Sequence, residues 1–190
     1  NLVSLNIMDK PDLNNFIGGS GVYMDNVVLR QRMRTMDYTG VLGLGKISPY
    51  HNTFIYLPKG TYEASHPDWY SNFGTQVCYT AHGNKEEYNL MIQTVFEKML
   101  EEVTTYNLDI ITFTMEDESR CCNCASCKAA KAKYGADSGA VVEFCNNLSD
   151  KFKEYYAANS INKEINILFF AYYCFTEAPN PSVVQCRDNV

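Results

Sequence analysis

Apolar residues recur at helical spacing in two long stretches. From Asn84, the positions Tyr88, Met91, Val95, Met99 and Val103 return every third or fourth residue, which predicts a helix with one buried face. Asn84 and Glu87 have the spacing of a capping box at its start. From Ser138, the residues Val141, Cys145, Leu148, Phe152 and Tyr155 predict a second amphipathic helix. Ala/Lys-rich sequence from Ala125 to Tyr134 predicts a shorter one, stopped by Gly135.

Between the helices the pattern changes. Asp109-Ile-Ile-Thr-Phe-Thr-Met115 is rich in β-branched residues and predicts a strand that runs into Glu116-Asp117-Glu118. Ile165 to Tyr173 predicts another. Val41 to Leu44 and Thr53 to Leu57 read as short strands closed by Gly45 and Pro58. Residues 1–30 hold short apolar runs separated by Lys10-Pro11-Asp12 and Gly18-Gly19-Ser20-Gly21, a lead-in of strands and turns.

The order strand, helix, strand, helix, strand is that of parallel α/β units. The expected fold class is therefore α/β, a (β/α)8 TIM-barrel-like architecture. A complete barrel takes about 250 residues, and this chain has 190. The expectation is a partial barrel over residues 31–190, an excised or mature piece with the remainder in a larger polypeptide.

Composition narrows the function. A 46% hydrophobic, 20% charged chain is that of a folded domain. Its 22 acidic against 16 basic residues give a net charge of -6, and the basic residues form no stripe. A nucleic-acid partner is not expected. No apolar run reaches the roughly 20 residues of a membrane-spanning helix, so no membrane span is expected. Phosphate-binding glycine loops and the Gly-x-Ser-x-Gly elbow are missing from the sequence.

Chemistry concentrates in three places. Glu116, Asp117 and Glu118 follow a strand, where α/β barrels carry their catalytic groups. Adjacent carboxylates raise one another's proton affinity, which suits a general acid. The rival reading is a solvated turn or an acid that caps a helix. Strand alternation puts Thr112, Thr114 and Glu116 on one face and Ile111, Phe113, Met115 and Asp117 on the other, which does not choose among the acids.

The run Cys121-Cys-Asn-Cys-Ala-Ser-Cys127 is the second place. Cys122, Cys124 and Cys127, with Cys78 as the preferred fourth ligand, suit a structural tetrahedral zinc. Disulfides are the alternative, since the eight cysteines form an even count whose connectivity the sequence does not give. No cofactor is expected for catalysis itself.

The third is aromatic: Tyr50-His51-Asn52-Thr53-Phe54, Tyr56 and His66-Pro-Asp-Trp-Tyr70. Aromatic faces cover the apolar face of a sugar ring while His, Asn and Asp bind hydroxyls. Singly, each is as well explained by core packing.

Taken in order, Leu57-Pro-Lys-Gly-Thr-Tyr62, His66-Pro-Asp-Trp-Tyr70, Val77-Cys-Tyr-Thr80, Asp117 before Cys122-Asn-Cys-Ala-Ser-Cys127, Ser138-Gly139, Phe144-Cys-Asn146 and Ala171-Tyr172 resemble a bacterial family of large secreted proteins. That family is catalogued as a domain of unknown function and regarded as glycoside hydrolases, similar to the α-glucuronidases. The resemblance covers roughly residues 30–190. It implies a glycosidase-type barrel, a carbohydrate substrate, and an extracellular, periplasmic or cell-envelope location. Asp117 stands where the family has its acid, although Glu116 and Glu118 replace the usual flanking amides. Arg32, within Arg30-Gln-Arg-Met33, and His51 echo family positions near the domain start. With Trp69 and Tyr172 they are the candidate sugar contacts. The alternative is a carbohydrate-binding or structural module without catalysis, built around a Cys-rich metal or disulfide knot.

Overall fold

In the computed structural model of the chain, residues 51–190 are described. The readings placed on residues 1–50, including the strands before Ser48 and the candidate sugar contact Arg32, lie outside them.

Helix formation follows the apolar spacing closely in the two long segments. Helix α3 spans Lys85–Tyr106, and the Asn84 side chain accepts from the backbone N–H groups of Glu86 and Glu87. Glu87 does not close the expected capping box, because its carboxylate takes the His66 Nδ1 at 2.9 Å instead. Met91, Val95, Met99 and Val103 are buried as expected, with Ile92 and Phe96 beside them. Helix α4, Ala125–Tyr134, ends at Gly135, whose φ of 84° only glycine adopts without strain. Helix α5, Ser138–Ala158, buries Val141, Cys145, Leu148 and Phe152. Its stripe then drifts by one residue: Tyr156 is buried and Tyr155 faces solvent, as a 3.6-residue period allows when the step from Phe152 is four instead of three.

Strands β1, Ile110–Thr112, and β2, Asn166–Leu168, are parallel, with Ile111 opposite Ile167. Helices α4 and α5 lie between them in sequence, so this part is one βαβ unit preceded by α3. Both strands are shorter than the sequence predicts. Beyond Thr112 the chain stays in register for one more bond, Phe113 N–H to Leu168 carbonyl at 2.9 Å. Its next neighbour is not a strand but Asn52. The Asn52 amide donates to the Thr112 carbonyl at 2.9 Å and accepts from the Thr114 N–H at 2.7 Å, while the Thr114 carbonyl receives the N–H groups of Asn52 and Thr53. One side chain thus satisfies the ladder groups that a missing strand would leave buried. β2 ends at Leu168, and farther on Tyr173–Phe175 forms a 3-10 turn in which Tyr173 has φ 45°.

Thr53–Tyr56 is a helix, α1, not the strand its β-prone residues suggest, and Lys59–Tyr62 forms α2. Burial of Tyr56 and Leu57 decides the matter: the Tyr56 hydroxyl donates to Glu102 and its carbonyl accepts from Lys98, both on α3.

The core lies between β1 and the helices. Phe113 stacks on Phe144 at 5.2 Å, Tyr79 meets both rings edge-on, and Phe96 packs on Phe152 to join α3 to α5. Edge-on and offset rings of this kind contribute roughly 0.5–1.5 kcal/mol each beyond area burial. Among the described residues no helix is long and apolar enough to cross a membrane.

Candidate active site and cysteine centre

The C-terminal ends of β1 and β2 lie side by side, so the segments that leave them face one another. Glu116, Asp117 and Glu118 leave β1, and Phe169 to Tyr172 leave β2.

The three acids have three different occupations. Glu116 Oε1 accepts the Thr53 hydroxyl at 2.6 Å and the Phe54 N–H at 2.9 Å, so this carboxylate caps α1. Its backbone is gripped as well: Gln76, fully buried, accepts the Glu116 N–H at 3.0 Å and donates to the Glu116 carbonyl. Glu118 is paired with Arg120, at 2.7 and 2.9 Å, and accepts the Thr75 hydroxyl. Arg120 first, then Thr75, hold its carboxyl well below the usual range, so Glu118 stays ionised and is unsuited to give up a proton. Asp117 alone is exposed with one polar side-chain partner, the Tyr172 hydroxyl, which donates to Oδ1 at 2.9 Å.

Tyr172 holds this carboxyl, and the His51 ring packs against Tyr172. The Tyr172 phenol is held protonated, its proton affinity raised by hydrogen bonding with Tyr173 and then with Asp117. His51 has φ 52°, and its Nδ1 lies 2.8 Å from the Met115 carbonyl, an arrangement that requires the proton on Nδ1 and leaves Nε2 an acceptor. The His51 ring meets Tyr172 at 5.8 Å and Phe170 at 6.4 Å. Together with Phe169 and Ala171 these residues line an open cleft of about 420 Å³, within the size range of small-molecule sites. Its walls are largely aromatic, and His51 and Tyr172 bring hydrogen-bonding groups to it.

Trp69 does not join them. It is 1% exposed, its indole N–H donates to the Glu87 carbonyl, and the His66 ring stacks on it at 4.2 Å. Its indole is part of the core and offers no face to a ligand.

The cysteines divide into two groups. Cys121 and Cys174 form a disulfide that joins the loop after Asp117 to the segment after Tyr172. Cys78, Cys122, Cys124 and Cys127 are free thiols and converge. Cys78 Sγ is 3.9 Å from Cys124 Sγ and 3.6 Å from Cys127 Sγ. Hydrogen bonding with Cys122, more than any other cause, pushes the Cys78 thiol up to about 12. Cys121, adjacent to Cys122 in sequence, is held apart from this cluster by its disulfide to Cys174.

Several participants carry no signal in hydrophobic patterning. Gln76 and Asn52 are buried polar residues that hold the strand end, and nothing local marks them. His82 is different: it is grouped with Cys78, Cys122 and Cys124, their ligand-type atoms all within 4.8 Å of one another. Its Cys-x-x-x-His spacing from Cys78 could have pointed to it.

The model of a family described as Domain of unknown function (DUF4838) matches residues 18–190. No curated protein matches the chain, and no solved structure does.

Proposed function

This chain belongs to the DUF4838 family, and from that membership together with the cleft at the strand ends we propose that it is part of a glycoside hydrolase acting on a polysaccharide or glycan. The observation that carries the reading is Asp117, of the three acids the one with no ion-pair or capping role among the described residues, held by the hydroxyl of Tyr172, which itself lines the aromatic-walled cleft with His51. The ordered motifs that resemble secreted glycosidases of the α-glucuronidase type support it.

Asp117 delivers a proton to the departing glycosidic oxygen. Tyr172 fixes the carboxyl by donating to Oδ1, which leaves Oδ2 to carry the proton. His51 Nε2 accepts a sugar hydroxyl, and the rings of Phe170 and Tyr172 cover the apolar face of the pyranose. Hydrolysis of this kind uses a second carboxyl, about 5 Å away for retention or up to about 9.5 Å for inversion. Glu116 and Glu118 are poor candidates, being tied to Thr53 and Arg120. The second carboxyl therefore comes from elsewhere in the fold, a (β/α)8 barrel of which β1 and β2 are adjacent strands. The Cys121–Cys174 disulfide fits an extracellular or periplasmic setting.

Release of reducing ends from a panel of plant, host and microbial polysaccharides, lost in Asp117→Asn, tests this reading. Sugar binding without turnover would favour a carbohydrate-binding module instead.

A further inference from the structure

Four thiols brought together from separate segments need an explanation that the cleft does not supply. Cys78 follows the Tyr70–Val77 bridge, Cys122 and Cys124 leave the acidic loop, and Cys127 lies in the first turn of α4. Two sulfurs bound to one tetrahedral zinc, with bonds of about 2.3 Å, stand about 3.8 Å apart. The separations from Cys78, 3.9 Å to Cys124 and 3.6 Å to Cys127, bracket that value. They are far beyond the roughly 2 Å of a disulfide.

We propose that Cys78, Cys122, Cys124 and Cys127 bind one Zn²⁺ as a structural tetrathiolate centre. On binding, each thiol gives its proton to solvent and its sulfur lone pair to the metal; no electron is transferred.

The surroundings are those of a thiolate site. The His82 N–H donates to Cys78 Sγ at 3.3 Å, and the Cys127 N–H donates to Cys124 Sγ at 3.3 Å. These backbone donors spread the negative charge that four thiolates around a divalent ion retain. They are aimed by local backbone choices: Ala81 and His82 both take positive φ in the turn after Cys78, and Cys124 is the N-cap of α4. The Thr80 hydroxyl adds a partner, 3.2 Å from Cys127 Sγ and 3.4 Å from Cys78 Sγ. His82 lies close to the cluster, its Nε2 donating to the Tyr70 carbonyl at 2.9 Å, which ties the ring to the hairpin; Cys127, 3.6 Å from Cys78 Sγ, supplies the fourth ligand in its place. The metal ties the hairpin that carries Gln76, which grips the Glu116 backbone, to the loop that carries Asp117 and to α4. It stands apart from the hydrolytic reading and survives that reading's failure.

The test is metal analysis of the full chain, produced with Zn²⁺ and purified without chelator. One zinc per chain is expected, and Co²⁺ in its place should give the visible spectrum of a tetrahedral four-thiolate site. Cys78→Ser and Cys127→Ser should each lose the metal, whereas His82→Ala should keep one zinc and the four-thiolate spectrum. No bound metal, or a mass showing disulfides among these four cysteines, would overturn the proposal. A His82→Ala variant that loses zinc while Cys127→Ser keeps it would overturn the ligand set. Should the serine variants fail to fold, the cobalt spectrum of the wild type and its loss on chelation still decide.

Discussion

The Tyr172 hydroxyl donates to Asp117 Oδ1 at 2.9 Å, across 55 residues of sequence and between the ends of two parallel strands. The bond is a consequence of the register: pairing Thr112 with Leu168 delivers the two segments beyond them to the same place. If Tyr172 positions the acid, Tyr172→Phe should lower kcat about tenfold to a hundredfold, the effect of a hydrogen bond to a reacting group worth roughly 1.5–3 kcal/mol. KM and Tm should change little, since the Tyr172 hydroxyl bonds to exposed groups, Asp117 and Tyr173, and not into the core. A fall in Tm with unchanged kcat would make the bond structural.

The Cys121–Cys174 disulfide closes a loop with a sequence separation of 53. In the chain-entropy account, such a loop contributes about 4 kcal/mol by restricting the unfolded chain. Cys121→Ser with Cys174→Ser should lower unfolding free energy by a few kcal/mol in denaturant titration. Because the bridge also joins the Asp117 loop to the Tyr172 segment, turnover should fall at temperatures where the variant remains folded. Unchanged stability would show that packing alone holds the two segments.

Gly139, next to the first residue of α5, lies under Tyr134 of α4. A Cβ there would collide with Tyr134 Cβ, inside any allowed contact. Gly139→Ala should therefore force the two helices apart and cost roughly 1–3 kcal/mol, the range for overpacking. Thermal unfolding reads it directly, and a neutral result would mean that Tyr134 can swing aside.

Glu118 has a carboxyl held below its ordinary value of 4.5 by Arg120 and Thr75. Its contribution to stability is present above that value and is lost as pH falls below it toward the depressed folded value. Arg120 is exposed to solvent, which screens the pair, so the contribution is small. Plotted against pH, the Tm of Glu118→Gln should lie slightly below the wild type near neutrality and converge with it in acid. A gap that widens on acidification would contradict the assignment.

Long-range capping explains most of what sequence pattern alone missed. Helices α3 and α5 were legible because their apolar residues repeat locally, and Asn84 and Gly135 mark ends by their own backbone preferences. Thr53–Leu57 is a β-prone run, yet Thr53–Tyr56 is helical because Glu116, distant in sequence, caps its first turn and α3 receives Tyr56. β1 stops early because the side chain of Asn52 takes the place of a neighbouring strand. Neither Asn52 nor Glu116 announces its partner in one dimension. Asp117 was legible as a candidate from its place after a strand, but its separation from Glu116 and Glu118 rests on Thr53 and Arg120. The cysteine run pointed to metal or disulfide chemistry without revealing that Cys121 pairs with Cys174 and leaves its neighbours free.

Turnover of a polysaccharide panel by the protein at its full natural length, beside its Asp117→Asn variant, tests the central claim most directly. Loss of a general acid costs about 10²–10⁴ in rate. The account predicts reducing-end release by the wild type, a drop of at least about 10² in the variant, and closely similar Tm values. Equal turnover by both would remove Asp117 from the chemistry, and no release from any glycan by the wild type would contradict the assignment as a glycosidase.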